Sequence, residues 1–277
     1  MSPLTLAYLA LASALASGVL ALGADRYPGL LRYGASILLG MCGVFAVFAG
    51  AWVLIDETHS TGQLALGLPW LHWHMRLDAL SGFFFGVVGM LVLAISLYAP
   101  GYLQEFTHPG HKQPLSVLGL FTGLFILGML LVLLADDAFV FTVSWELMSV
   151  SSYFLVAYQH QYAANRRAAF LYLLMAHVGA LAILLGFGVL AGFGGGYTFE
   201  AMRAANLSAT WASIAFVLAF FGFGMKAGIV PLHAWLPEAH PAAPSHISAL
   251  MSGVMLKVAI YGFLRFVYYL LDRKSVV

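Results

Sequence analysis

Long apolar stretches, repeated eight times with hardly a charge inside any of them, are the feature that most restricts this fold. A helix needs about 20 apolar residues at 1.5 Å each to cross a bilayer. Segments 4–23, 31–55, 79–99, 115–135, 138–157, 168–192, 210–228 and 247–271 all meet that length. Hydrophobic residues make up 62% of the 277-residue chain and charged residues 8%, against about 25% charged in soluble domains. The prediction is an all-α, polytopic transmembrane bundle of about eight spans, multi-pass in a cell membrane, in contact with lipid.

The ends and connectors refine that prediction. Ser2-Pro3 leads into small and apolar residues with no basic stretch ahead of them, so the first segment is expected to be a span and not a cleaved signal. Loop 56–78 is the longest polar stretch between spans, and a small hairpin is expected there because 64–66 and 70–75 flank Gly67-Leu68-Pro69. Asp136-Asp137 is short enough to make spans four and five a tight antiparallel pair. Arg26, Arg32, Lys112, Arg166 and Arg167 fall on one side, Arg76 and Arg203 on the other. The positive-inside rule then places the N-terminus outside, with Arg265, Arg273 and Lys274 at the outer end of the chain counting against it. No basic cluster suggests nucleic acid. Cys42 is the single cysteine, which excludes an intrachain disulfide and a cysteine-bound iron–sulfur cluster.

Three full charges interrupt the apolar runs: Glu146, Lys226 and Lys257. A charge at bilayer depth costs about 2.5–3.5 kcal/mol on insertion scales, so such residues face a bundle interior or a water-filled path. One acid and two amines on three spans suggest a proton or cation route. Ser149 and Tyr153 extend a polar stripe through Glu146 at i+3 and i+7. Counting along an ideal helix puts His246, Gly253 and Lys257 on one face, with His246 about 16 Å from Lys257. His177 lies inside span six, and an imidazole is the side-chain type suited to bridge two ionisable sites. The alternative for each charge is a structural pairing that joins helices, and for His177 an ordinary hydrogen-bonded histidine.

Span seven is expected to break. Gly222, Gly224 and Gly228 crowd its end around Lys226, and Pro231 follows. Proline lacks the N–H donor and clashes with the carbonyl four residues back, which sets the break near 227–230. A charge beside freed carbonyls in a broken helix is the geometry of transporter ion sites; the alternative is a kink beside a snorkelling lysine. His233, His240 and His246 cluster around the break, as an entry to a proton path or as helix caps. His72-Trp73-His74 lacks a third ligand, so no metal site is expected. The glycine run 192–196 follows no strand and has no Lys-Ser/Thr, so it is no phosphate loop. No cofactor is expected, and no redox chemistry in this chain alone.

These residues carry a resemblance. Ser144-Trp145-Glu146-Leu147-Met148-Ser149 with 152–156 is similar to the fifth span of the antiporter-like subunits of complex I and membrane-bound hydrogenases. Lys226 followed by Val230-Pro231-Leu232-His233-Ala234-Trp235-Leu236-Pro237-Glu238-Ala239-His240 is similar to their broken seventh helix, and Leu256-Lys257 with 261–266 to their eighth. The stretches 240–246 and 248–255 resemble the hydrogenase and formate hydrogenlyase branch. The resemblance implies the first half of a 14-span fold: a three-span segment, 1–114, then a five-helix proton-channel repeat, 115–271, and a tail, 272–277. It implies that Glu146 and Lys226 form an acid–amine pair, that Lys257 is the central relay group and that His177 is an addition to it. It implies partners, namely other membrane subunits of one complex and a peripheral redox arm of hydrogenase or NADH dehydrogenase type, in a bacterial inner membrane. A second, inverted repeat with its own broken helix belongs to the family pattern, so the chain is expected to be truncated after span eight. The alternatives are a cation/proton antiporter subunit of Mrp type, or a non-conducting scaffold for soluble redox subunits.

Overall fold

The computed structural model describes residues 2–57, 59–107 and 113–271; Lys112, Arg273, Lys274 and the tail 272–277 lie outside them. In order the elements are α1 (Pro3–Ala21), α2 (Leu30–Asp56), β1 (Ser60–Leu68), β2 (Leu71–Leu77), α3 (Ala79–Phe106), α4 (Leu115–Leu134), α5 (Ala138–Gln159), α6 (Ala163–Gly194), α7 (Phe199–Ala204), α8 (Ala209–Ala227), α9 (Leu236–Ala242) and α10 (Ser245–Leu271). Eight helices among the described residues are long and apolar enough to cross a membrane, and they coincide with the eight expected spans.

Side chains that cap helices set the starts. Ser2, Thr198 and Ser208 each accept a backbone N–H at the third residue on. Asp78 and Ser81 form a reciprocal capping box at the head of α3. Asp137 caps α5 through the Val140 N–H at 2.7 Å, which helps the three-residue connector Ala135-Asp136-Asp137 reverse the chain after α4. Small residues set the closest packing. A Cβ on Gly50 would collide with the Gly82 carbonyl, and one on Gly43 would lie 2.7 Å from that of Gly89, so α2 and α3 meet backbone to backbone. In lipid such close approach supplies the association that the hydrophobic effect cannot. The first three spans pack on the rest chiefly through α1 against α4, and α5, α6 and α8 pack in series.

Two expectations about local structure change. The polar loop forms a longer hairpin than its apolar patches suggested, pairing Ser60 with Leu77 and Leu68 with Leu71, so Trp70 sits in the turn and not in a strand. The break in span seven is also a full stop and not a proline kink. Gly228 adopts the left-handed conformation and its N–H returns to the Gly224 and Met225 carbonyls, ending α8 at Ala227. Pro231 lies beyond that cap, exposed, in the turns between α8 and α9. The glycine cap ends the helix because only glycine takes that conformation without a Cβ clash.

Candidate functional site

Lys226 occupies the last turn of α8 and is 2% exposed. Its Nζ donates to Tyr172 OH of α6 at 2.6 Å and to Ser149 Oγ of α5 at 3.0 Å, and lies 4.7 Å from the Tyr172 ring centroid. Tyr172 OH is also 2.6 Å from Ser152 Oγ and 3.6 Å from Met255 Sδ of α10. Ser152 Oγ in turn reaches the Met148 carbonyl at 2.6 Å. The ammonium therefore heads a run of exchangeable O–H groups passing along α5, with four spans converging on it. At the break, Trp235 Nε1 donates to the Met225 carbonyl at 2.7 Å, so protein donors satisfy the carbonyls freed by the end of α8.

Glu146 and Lys226 are not in contact. Glu146 sits one turn before Ser149 on α5, a third exposed, with its Oε2 3.4 Å from His177 Nε2. His177 Nδ1 is 3.0 Å from the Leu173 carbonyl, so both ring nitrogens face oxygen acceptors. The acid–amine pair that the resemblance implied is thus split: the carboxylate faces an imidazole on α6, and the amine faces hydroxyls one turn further along. His177, placed outward beside Glu146, does not stand between the two.

Lys257 departs furthest from its expected place. It is exposed on the lateral surface, and its Nζ donates to the Ser252 carbonyl of its own helix at 2.6 Å. The cause lies in Met251–Met255, which form a π-turn with an additional residue in the coil. That residue defeats the i+4 and i+7 count, turning Lys257 outward while His246 stays inward at 4% exposure. His246 faces a cavity of about 20 Å³, room for about one water, shared with Ser17, Ser36 and Thr122 of the other helices. Its ring lies 5.1 Å from that of Tyr102, and among the described residues its Nδ1 has no hydrogen-bond partner. His233 sits half-buried between α8 and α9, its Nδ1 without a hydrogen-bond partner among the described residues. His240 on α9 holds Ser248 Oγ at 3.1 Å and stacks on Trp235; burial pushes its imidazole below the ordinary value. Lys226 and the break are therefore brought together, whereas on α10 Lys257 is exposed and His246 buried.

Sequence reasoning missed Tyr172 and Ser152, whose hydroxyls are common in spans and carry no signal by themselves. It also missed that Arg265 is buried: it makes a bidentate pair with Asp78 at 2.6 and 2.7 Å. His74, weighed as a metal ligand, instead places its backbone N–H on the Asp137 carboxylate at 2.9 Å.

Comparison with known proteins identifies the family and the fold. The family described as NADH:quinone oxidoreductase/Mrp antiporter, TM, matches residues 135–276. The chain is 41% identical over 245 residues to hydrogenase-4 component B of Escherichia coli (strain K12), covering 88% of this chain and 35% of that protein. It is 29% identical over 219 residues to NADH-quinone oxidoreductase subunit M of the same strain, covering 74% of this chain and 42% of that one. Among solved structures, the Mrp complex from Dietzia sp. DQ12-45-1b superimposes with a TM-score of 0.80 at 26% identity, over 96% of this chain and 49% of that chain. An archaeal membrane-bound sulfane sulfur reductase shares the fold at a TM-score of 0.78 and 20% identity, over 98% and 54%. The chain spans about a third of the length of the curated relative it matches at 41% identity.

Proposed function

Because the chain belongs to the NADH:quinone oxidoreductase/Mrp antiporter transmembrane family, we propose that it is a proton-translocating membrane subunit of a hydrogenase or formate hydrogenlyase type of complex. Redox chemistry in partner subunits drives the transfer, and the five-helix unit 115–271 carries the protons. The complex sits in a bacterial inner membrane, with the N-terminus outside and the break toward the cytoplasm. Relatives named as a hydrogenase component and as a subunit of NADH-quinone oxidoreductase support the assignment to a multi-subunit assembly.

The observation that carries the reading is the set of partners around Lys226. A carboxylate in contact would hold the lysine charged. Hydroxyls serve both states: they accept from an ammonium, and Tyr172 donates to the neutral amine. A buried lysine that takes part in proton exchange requires neighbours of that kind. Lys226 accepts and releases the proton, Ser149, Tyr172 and Ser152 relay it, and the Glu146–His177 pair biases the amine electrostatically from one turn away. His240, His233 and His246 hold protons at the break side, and Lys257 passes them at the lateral face, toward whatever packs there.

The test is proton uptake in energised vesicles bearing the assembled complex, comparing the parent with Lys226→Met and with Lys257→Met at equal redox turnover. Loss of uptake in Lys226→Met is the expected result; full uptake in that variant overturns the relay and leaves a scaffold. The likeness to the Mrp complex favours one second reading, a cation/proton antiporter subunit. Sodium dependence of the uptake distinguishes it.

A further inference from the structure

A second group of charges lies at the hairpin end, and the relay does not use it. Arg265, 4% exposed, joins Asp78 through both Nη atoms and reaches Tyr261 OH with Nε at 3.2 Å. Tyr261 OH donates to the Leu133 carbonyl at the end of α4, at 2.9 Å. Arg76 of β2 holds Asp136 at 2.8 Å, and the Tyr269 ring lies within 5.3 Å of the guanidinium carbons of Arg76, Arg203 and Arg265. Asp78 is itself fixed as the cap of α3. This end of α10 is therefore tied to α3, to α4 and to the hairpin.

Among the described residues no ion pair holds the middle of α10. Ser245–Leu250 and Leu256–Leu264 are ordinary α-helix, with π-turns at Met251–Met255 and Arg265–Leu271. π-turns hold an additional residue and occur where helices change register or serve function. Lys257, on the segment between them, bonds to a carbonyl of its own helix and, among the described residues, to no acceptor on another helix. Arg265 lies eight residues on, about 12 Å along the axis, and is the charged anchor at the end of that segment.

We propose that the Asp78–Arg265 pair is a positioning device: it fixes the rotation of α10 and so the face on which Lys257 is presented. The consequence for transport rests on the relay reading above; the positioning itself does not.

The two are tested separately in the assembled complex. In a Cys42→Ala background, which leaves this chain without cysteine, Lys257→Cys reports its own surroundings through its rate of labelling by a membrane-permeant maleimide. Arg265→Gln and Asp78→Asn, the latter keeping an N-cap residue, are each expected to change that rate severalfold in the same direction. Combining them should add nothing further, as for two halves of one interaction. Unchanged labelling in assembled complexes overturns the proposal, and so does failure of both variants to assemble, which makes the pair a folding element. In the lysine-containing chain, Arg265→Gln is expected to lower proton uptake per turnover. Altered labelling together with full uptake in Lys257→Met would retain the positioning role and remove Lys257 from the relay.

Discussion

The crossing of α6 and α8 can be perturbed with a single methyl group. A Cβ at Gly222 would lie 2.6 Å from the Gly179 carbonyl, 2.7 Å from Ile183 Cγ1 and 3.0 Å from the Ile183 nitrogen. Ordinary contact begins at 3.4 Å, and two of those three atoms are backbone, so Gly222→Ala must push the helices apart by about 0.8 Å. Overpacking of this kind costs about 1–3 kcal/mol, offset by the roughly 0.5–1 kcal/mol that alanine gains over glycine in a helix. Lys226 lies one turn beyond Gly222, and Tyr172 two turns before Gly179. Their 2.6 Å hydrogen bond spans the same interface, and widening by that amount brings it to the limit of hydrogen bonding. Gly188→Ala is the control, being on α6 with nothing within 4 Å of its Cβ position. Heat survival of the purified complex and proton uptake per redox turnover are the measurements. Gly222→Ala should lower both, whereas Gly188→Ala should retain uptake and match or exceed the parent in survival. Equal behaviour of the two alanine variants would refute the argument that this close approach holds Lys226 against Tyr172.

Three further outcomes follow from the described contacts. Trp235→Phe removes the 2.7 Å donor of the Met225 carbonyl, leaving the Gly228 N–H at 3.4 Å; thermal survival should fall by about 1 kcal/mol. Asp137→Ala, at a carboxylate with no exposure, loses the α5 cap and the acceptor for the His74 N–H, at a cost of about 2–4 kcal/mol; yields of assembled complex should drop, and Asp137→Asn should restore most of them. Burial alone would raise the Asp78 carboxyl, but Arg265 and Ser81 together hold it to about 2 against an ordinary 3.8. A depressed carboxyl stabilises above its unfolded value and loses that contribution as pH falls toward 2, so about 2 kcal/mol should disappear between pH 4 and pH 2. Acid titration of tryptophan fluorescence should show this loss in the parent and a flatter profile in Asp78→Asn.

The spans were legible because a bilayer allows so few ways to satisfy a backbone: any apolar run of the right length has to be a helix. The break was legible in position, since glycine and proline both mark it, but glycine and not proline turned out to end the helix. Site residues were legible only as far as their charge. Glu146 and Lys226 stand out in apolar surroundings, but which atoms they touch depends on neighbours such as Tyr172, 54 residues from Lys226. Lys257 was misplaced because a π-turn leaves no mark in composition or spacing. Arg265 was grouped with the terminal charges because it lies near the end of its apolar run, with its partner 187 residues away.

The three cations of α8 and α10 then divide by chemistry. Arginine stays charged at any accessible pH, so a buried guanidinium needs a permanent counter-charge, and Arg265 has one in Asp78 through two short bonds. A lysine can give up its proton, so it tolerates burial among neutral partners that suit either form. Lys226 has such partners in Ser149 and Tyr172, and Lys257 has a carbonyl at the surface. The same division predicts the effect of exchange. Lys226→Arg keeps a positive charge in the same cavity but removes the neutral state, and the larger planar head meets hydroxyls where it needs a carboxylate. Proton uptake should be lost in Lys226→Arg as fully as in Lys226→Met. Uptake retained in the arginine variant would show that a fixed charge at this position is sufficient, and that the hydroxyl run carries no proton.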